Sequence, residues 1–322
     1  MKANLIRFGR YSVIALVALF MAVPVLSQLS LRKALDYDGD GRADFVIFRP
    51  SNNAWYSLRS GGSVAIDGWG LAAEDFMVPG DYDGDGRGDL AVWRDTNGLF
   101  FIINSSNGTV SIASWGISGD EPVARDYDGD GRTDYAVVRR TGGSMVWYIL
   151  RSSDSQVQVA SWGLSTDFTA PGDYDGDGKF DFCVQRPGPT PTSPAVFYVL
   201  TNGTFNVSVV SWGWGNDLVV PGDYDGDGKT DFAVVREGST TNSPLIWYII
   251  RSSDNVPIGV SFGDTGTDLN AQADYDGDGK TDIAIWRDTT GQFWYRSSIN
   301  NAFNVVAWGS PNDYPVASYD TH

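Results

Sequence analysis

Six times the chain repeats the string DYDGDG, beginning at Asp36, Asp81, Asp126, Asp173, Asp223 and Asp274. Each copy extends to nine residues with carboxylates at positions 1, 3, 5 and 9. In the first copy these are Asp36, Asp38, Asp40 and Asp44, and in the second Asp81, Asp83, Asp85 and Asp89. The third has Asp126, Asp128, Asp130 and Asp134, and the fourth Asp173, Asp175, Asp177 and Asp181. The last two have Asp223, Asp225, Asp227 and Asp231, then Asp274, Asp276, Asp278 and Asp282. A hard cation suits this spacing. Ca²⁺ takes about six to eight oxygens at about 2.3–2.6 Å, and alternate residues of a tight loop can turn carboxylates inward. Glycine at position 6 permits the bend that turns the position 7 carbonyl toward the ion, so the position 7 side chain is left free. It is basic throughout: Arg42, Arg87, Arg132, Lys179, Lys229 and Lys280. An EF-hand needs a bidentate Glu at position 12 and flanking helices. Position 12 here is Ile47, Val92, Val137, Val184, Val234 or Ile285. The pattern therefore predicts β-hairpin calcium loops, six in number. A metal-free Asp/Gly turn is the competing reading, disfavoured because four carboxylates so close together repel one another.

Little else in the chain has the makings of catalysis. The single histidine is His322, and the only glutamates are Glu74, Glu121 and Glu237. No Ser-His-Asp set can be assembled, and no Gly-rich phosphate loop leads from a strand into a helix. Glu74 with Asp75 is a conceivable carboxylate pair for glycoside hydrolysis, but the two are adjacent and read as solvated surface charge. The expectation is that the protein is not an enzyme. Repeated arginines (Arg49, Arg94, Arg139, Arg186, Arg236, Arg287) are expected in ion-paired packing rather than in an anion site. Cys183, the only cysteine, reads as a core filler.

The elements that position these loops follow from the period. Loop starts are separated by 45, 45, 47, 50 and 51 residues, within the range of propeller blades. After each loop comes a short run such as Asp231-Phe-Ala-Val-Val-Arg236, then an aromatic run such as Ile246-Trp247-Tyr248-Ile249-Ile250. A β-branched stretch follows, ending in Trp-Gly at Trp69, Trp115, Trp162, Trp212 and Trp308, with Phe262 once in its place. Four short β-rich runs per unit read as four strands joined by hairpins. One face of the second strand carries Phe45, Leu90, Tyr135, Phe182, Phe232 and Ile283. The other begins with a small slot: Val46, Ala91, Ala136, Cys183, Ala233 and Ala284. Both faces are apolar, so both must be covered, as in a blade packed between two neighbours. The fold class is thus all-β: a propeller of four-stranded antiparallel blades, six expected and seven the alternative. The surplus strand near Pro315 to Ser318 is expected to close the ring in the first blade. The repeated Trp and Tyr residues are expected to pack between blades.

Composition sets the compartment and the partners. Lys2, Arg7 and Arg10 precede an apolar stretch from Tyr11 to Leu26, the layout of a signal peptide cut after Ser27. The expected organisation is a signal peptide over 1–27 and a single propeller domain over 28–322. Export to the cell surface or medium is expected, with the periplasm also open and no membrane insertion after cleavage. The formal charge of −17 becomes −20 once those three basic residues are removed, which argues against nucleic acid as a partner. Six Ca²⁺ would bring it to −8.

The units resemble the FG-GAP/VCBS repeats of the integrin α-chain propeller and of many secreted bacterial proteins, over about residues 31–320. The resemblance implies a calcium loop between the first and second strands of each blade, held by the 24 aspartates named above. The degenerate Tyr319-Asp320-Thr321-His322 lacks the ligands. It also implies a monomeric module for adhesion, recognition or scaffolding. A carbohydrate-binding lectin is the alternative, and a polysaccharide-active enzyme a weaker one. Nearly all length variation lies between the repeated arginine and the aromatic pair, at 6, 6, 8, 11, 11 and 7 residues. The longest connections are Pro187 to Ala195 and Glu237 to Leu245, on the face opposite the acidic loops. A protein or glycan ligand is expected there, near Pro189, Thr192, Thr240 and Asn242.

Overall fold

Period-2 β-branched and aromatic runs broken by Gly, Asp and Ser form strands, and every named element of the structure is one. The computed structural model describes residues 34–316. The proposed signal segment and Tyr319 to His322 lie outside the described residues. Twenty-four strands form six antiparallel four-stranded sheets. Blade two takes Asp75–Met77, Leu90–Arg94, Leu99–Ile103 and Val110–Ser114, and blade three Glu121–Pro122, Tyr135–Thr141, Ser144–Leu150 and Val157–Leu164. Blade four takes Phe168–Thr169, Phe182–Arg186, Pro194–Leu200 and Val207–Trp214. Blade five takes Leu218–Val219, Phe232–Arg236, Pro244–Ile250 and Pro257–Asp264, and blade six Asp268–Asn270, Ile283–Arg287, Gln292–Arg296 and Phe303–Ala307. Blade one joins the two ends of the described chain. Its first strand is Tyr314–Pro315, paired with Phe45–Arg49, which continues through Ala54–Leu58 to Val64–Gly68. Six blades close the ring, and the seven-blade alternative falls.

The small slot on the second strand explains how blades stack. Ala91, Ala136, Cys183, Ala233 and Ala284 are all fully buried, and the opposite face carries the bulk. Burial pushes the Cys183 thiol well above its ordinary range, which makes it the expected core filler. Blade-to-blade contact is repeated around the ring. The indole N–H of Trp69, Trp115, Trp162, Trp212 and Trp308 donates to the carbonyl of Phe101, Tyr148, Tyr198, Tyr248 and Tyr56 in the following blade, at 3.0–3.3 Å. Where the next second strand begins with an aromatic residue, the Tyr at loop position 2 stacks on it, as in Tyr174 with Phe232 at 4.8 Å. Tyr275 with Phe45, at 4.7 Å, does the same across the closure.

The short first strands line a central cavity of about 450 Å³, with Phe76, Phe168, Leu218 and Asn270 among its walls. In blade six the register places Phe293 opposite Trp286, where other blades have the first residue of their aromatic pair. Its connection is therefore one residue shorter than the sequence spacing suggests, because Trp294 is the second member of the pair.

Candidate metal centre

In blades two to six the acidic loop joins the first strand to the second, and in blade one, whose first strand is Tyr314–Pro315, it leads into the second strand from its N-terminal side; all six lie at one end of the ring. Glycines at positions 4 and 6 carry positive φ, for example Gly39 at 80° and Gly41 at 86°, a region that costs other residues strain. That turn wraps the backbone around the position 1 carboxylate. Asp36 accepts from Gly39 N–H at 2.7 Å and from Gly41 N–H at 2.8 Å, and the other five loops do likewise. The position 9 carboxylate is held from two sides. One oxygen of Asp44 accepts from Tyr37 N–H at 2.9 Å, and the other from Ser60 N–H at 2.8 Å. Positions 1 and 9 are buried in all six loops, whereas position 5 is exposed in every one.

Carboxylate oxygens converge as the spacing requires. Asp36, Asp38 and Asp40 place oxygens within 4.8 Å of one another, as do Asp81, Asp83 and Asp85. In the next three loops the convergent trios are Asp126, Asp128 and Asp134; Asp173, Asp175 and Asp181; and Asp223, Asp225 and Asp231. Blades one and two thus bring together positions 1, 3 and 5, and blades three to five positions 1, 3 and 9. In blade six Asp274 accepts from Gly277 and Gly279, and Asp282 from Tyr275 and Ser298, as in the other blades. Two oxygens each about 2.4 Å from one Ca²⁺ lie at most about 4.8 Å apart, so these groups can hold such an ion. Charge points the same way. Burial pushes Asp44, Asp89, Asp126 and Asp223 up to about 6, and Asp134, Asp181, Asp231 and Asp282 up to about 7, despite the backbone N–H groups they accept from. Asp44 has Arg59 at 3.2 Å, but desolvation still outweighs it, and a divalent cation would supply the positive charge that the shifted carboxylates call for. The donor set is all oxygen, the chemistry Ca²⁺ prefers.

Two further groups of residues were not foreseen from sequence: serines that hold the acidic loops, and the aspartates that partner the repeated arginines at the other end of each blade. Serines of the turn between third and fourth strands clamp the exposed carboxylates. Ser105 Oγ donates to Asp85 at 2.9 Å and Ser106 Oγ to Asp83 at 2.6 Å, and Ser152, Ser153, Ser252 and Ser253 repeat the pair. Blade four has Asn202-Gly203 at this place, and the Asn202 amide turns instead to the carbonyls of Tyr127 and Phe180. At the opposite end of each blade, the repeated arginine grips the aspartate that begins the first strand. The pairs are Arg49–Asp313, Arg94–Asp75, Arg139–Asp120, Arg186–Asp167, Arg236–Asp217 and Arg287–Asp268, at 2.7–2.8 Å. Ion-paired packing is thus what these arginines do. Asp75 is not solvated: its side chain is 2% exposed against Arg94, so it is no free partner for Glu74.

Glu121 faces the central cavity but is engaged by Arg140 at 2.6 Å and by Thr169. The two long connections reach the face opposite the acidic loops, with Pro189, Thr192, Thr240 and Asn242 all exposed. They fold back onto the turns leading to the next blade, through Gly215 N–H to Ser193 O and Thr265 N–H to Ser243 O. Beside them, between blades four and five, a groove of about 340 Å³ is lined by Pro194, Ser211, Trp212, Trp214, Arg236 and Tyr248.

A family model described as an FG-GAP-like repeat matches residues 36–92 and 126–184. No curated protein matches the chain. Among solved structures, an Agrocybe aegerita lectin that recognises non-reducing terminal N-acetylglucosamine is 16% identical, with TM-score 0.50, over 87% of this chain and 91% of that one. AofleA from Arthrobotrys oligospora is 8% identical, with TM-score 0.50, over 90% of each chain. Virginiamycin B lyase from Staphylococcus aureus is 9% identical, with TM-score 0.46, over 87% and 86%. The likeness to the first two, at these identities, shows the fold alone.

Proposed function

The chain is a six-bladed propeller of FG-GAP-like repeats, and from that premise we propose that it is an exported, calcium-stabilised recognition module without enzymatic activity. The observation that carries the calcium reading is the convergence of three carboxylate oxygens in loop after loop, one or two of each trio buried. The residues that would hold the ions are the aspartates at positions 1, 3, 5 and 9. The ion would supply the positive charge that the burial of positions 1 and 9 calls for. The chain's own part is to set the trios by glycine turns and clamp them with serine hydroxyls.

Recognition is assigned to the opposite face, where the connections of blades four and five stand out from a rigid scaffold. The groove beside them favours a glycan ligand. Trp214 occupies the position held by Leu71, Ile117, Leu164, Asp264 and Ser310 elsewhere, and is 38% exposed over the Arg236 guanidinium. Flat apolar rings beside a fixed polar group suit a sugar, which presents C–H and O–H faces together. The enzyme reading is weakened by the carboxylates themselves: Glu121, Asp120 and Asp217 at the central cavity are all ion-paired.

The test is a glycan array probed with calcium-loaded protein, repeated with both long connections shortened to the length in blade two. Binding that disappears in the shortened variant, with calcium content intact, supports the assignment. Unchanged binding moves the site to another face, and sugar release makes the protein an enzyme.

A further inference from the structure

The acidic loops are not six separate sites. In every blade the position 8 N–H donates to the position 1 carbonyl of the preceding blade's loop: Gly88 to Asp36, Thr133 to Asp81, Phe180 to Asp126, Thr230 to Asp173, Thr281 to Asp223 and Ala43 to Asp274. The distances are 2.6–2.9 Å, and the sixth bond spans the ring closure. Side chains follow the backbone. The basic residue at position 7 lies over the position 4 glycine of the preceding loop. A Cβ on Gly39 would come within 3.1 Å of Arg87 Cγ, and one on Gly277 within 2.8 Å of Arg42 Cγ. The residue before each loop is fitted to position 8 of the next. A Cβ on Gly172 would come within 2.6 Å of Thr230 Cγ2, and one on Gly222 within 2.8 Å of Thr281 Oγ1. Conversely, Leu35 before the first loop is matched with Gly88, while Ala273 is matched with Ala43 and Arg125 with Phe180.

We propose that the six loops take up their cations cooperatively, through this closed ring of inter-loop hydrogen bonds. The inference rests on the calcium reading above. Position 1 is a ligand of one loop, and its own carbonyl is tied to the residue that immediately precedes position 9, a ligand of the next. A cation that fixes Asp231 therefore fixes Thr230, whose N–H holds the backbone of Asp173 and with it the loop of blade four. Ordering is handed on because each hydrogen bond sits one residue from a ligand on one side and on a ligand residue on the other. A second ion then enters a loop whose ordering entropy has been met in part by the first, which is coupling without a change of fold. Since the bonds close on themselves, no loop is terminal.

The experiment is calorimetric titration of Ca²⁺ into the chelator-stripped full chain. Coupling of about fivefold per junction, the low end of the usual range, gives sigmoidal uptake with a Hill coefficient of about 2. Gly172→Ala pushes the loops of blades four and five apart, and should lower that coefficient and raise the midpoint. Adding Thr230→Gly, the pairing that Leu35 and Gly88 already use in mirror form, should restore both. Asp225→Asn adds no bulk. Under coupling it removes one ion and weakens binding by those that remain, by about fivefold at the adjoining loops. Uptake of several ions with a Hill coefficient of 1, and loss of one ion in Asp225→Asn with no change in the others, overturns the coupling while leaving the calcium reading in place. No calcium uptake overturns both.

Discussion

Stripping calcium should cost this fold more than any single substitution. Carboxylates at positions 1 and 9 are buried in all six loops, and burial, with repulsion from neighbouring aspartates, drives those of Asp126, Asp134, Asp181, Asp223, Asp231 and Asp282 upward from the ordinary carboxylate range. Near neutral pH desolvation and mutual repulsion penalise their ionised form, and a bound cation offsets that penalty. A site with a dissociation constant of about 10⁻⁴ M in about 1 mM calcium stabilises the fold by about 1.4 kcal/mol. Six such sites give about 8 kcal/mol, within the whole stability of an ordinary domain. An unfolding entropy near 2 cal/mol/K per residue amounts to about 0.6 kcal/mol/K over residues 34–316, so the expected fall in Tm is about 13 °C. Differential scanning calorimetry in 1 mM CaCl₂ against EGTA measures it, with MgCl₂ as a control for general charge screening. The reasoning is refuted by a Tm that changes less than about 2 °C in EGTA, or by metal analysis that finds two or fewer ions per chain.

Three further outcomes follow from named contacts. Arg94→Ala leaves the Asp75 carboxylate buried without its partner and should destabilise by about 3 kcal/mol, read as a lower denaturation midpoint; Arg94→Lys should rescue only part, because the pair is bidentate. Ser153→Ala removes the 2.6 Å hydrogen bond to Asp128 and should weaken calcium at loop three about tenfold, seen as a lagging step in the titration. Truncation before Asp274 removes the last three strands of blade six and the closing strand, and should yield an aggregated or dye-binding species. A soluble fragment with cooperative melting would instead describe an open array.

The period, the loops and the small slot were legible because each repeats at a fixed distance from the DYDGDG string. The partners of the arginines were equally regular. Asp75, Asp120, Asp167, Asp217 and Asp268 each stand six residues before a loop start and 19 before their arginine. What hid them was company: in a chain with 40 acidic residues, one more aspartate beside an irregular turn reads as surface charge. The serine clamps were hidden by a different cause. Their distance from the position 9 aspartate is 16 residues in blades one, two and six, 18 in blade three and 21 in blade five, with Asn202 standing 21 residues on in blade four. The connection between second and third strands, which lies at the far end of the blade, changes that count without moving the clamp. Sequence distance fails wherever a hairpin of variable length intervenes, and only cross-strand register restores the equivalence.

The ring inverts the usual expectation that the seam is the weak point of a closed propeller. Among the described residues the closing strand meets blade one through a short ladder, Tyr314 with Phe48 and Pro315 with Ile47, extended by Val316 N–H to Val46 O at 2.9 Å. Yet the contacts that join any other two blades are present across the closure. Trp308 donates to Tyr56, Tyr275 stacks on Phe45, and Arg42 lies over Gly277. Ala43 N–H reaches the carbonyl of Asp274 at 2.7 Å, and Arg49 grips Asp313 in the closing strand itself. A short strand suffices because it contributes one ladder, while the apolar faces, the loop-to-loop bonds and the ion pair are supplied by residues already fixed in the first and last repeats. With one cysteine there is no disulfide to staple the seam. Acidic loops that hold one another by hydrogen bonds across every junction, the closure included, take up that role.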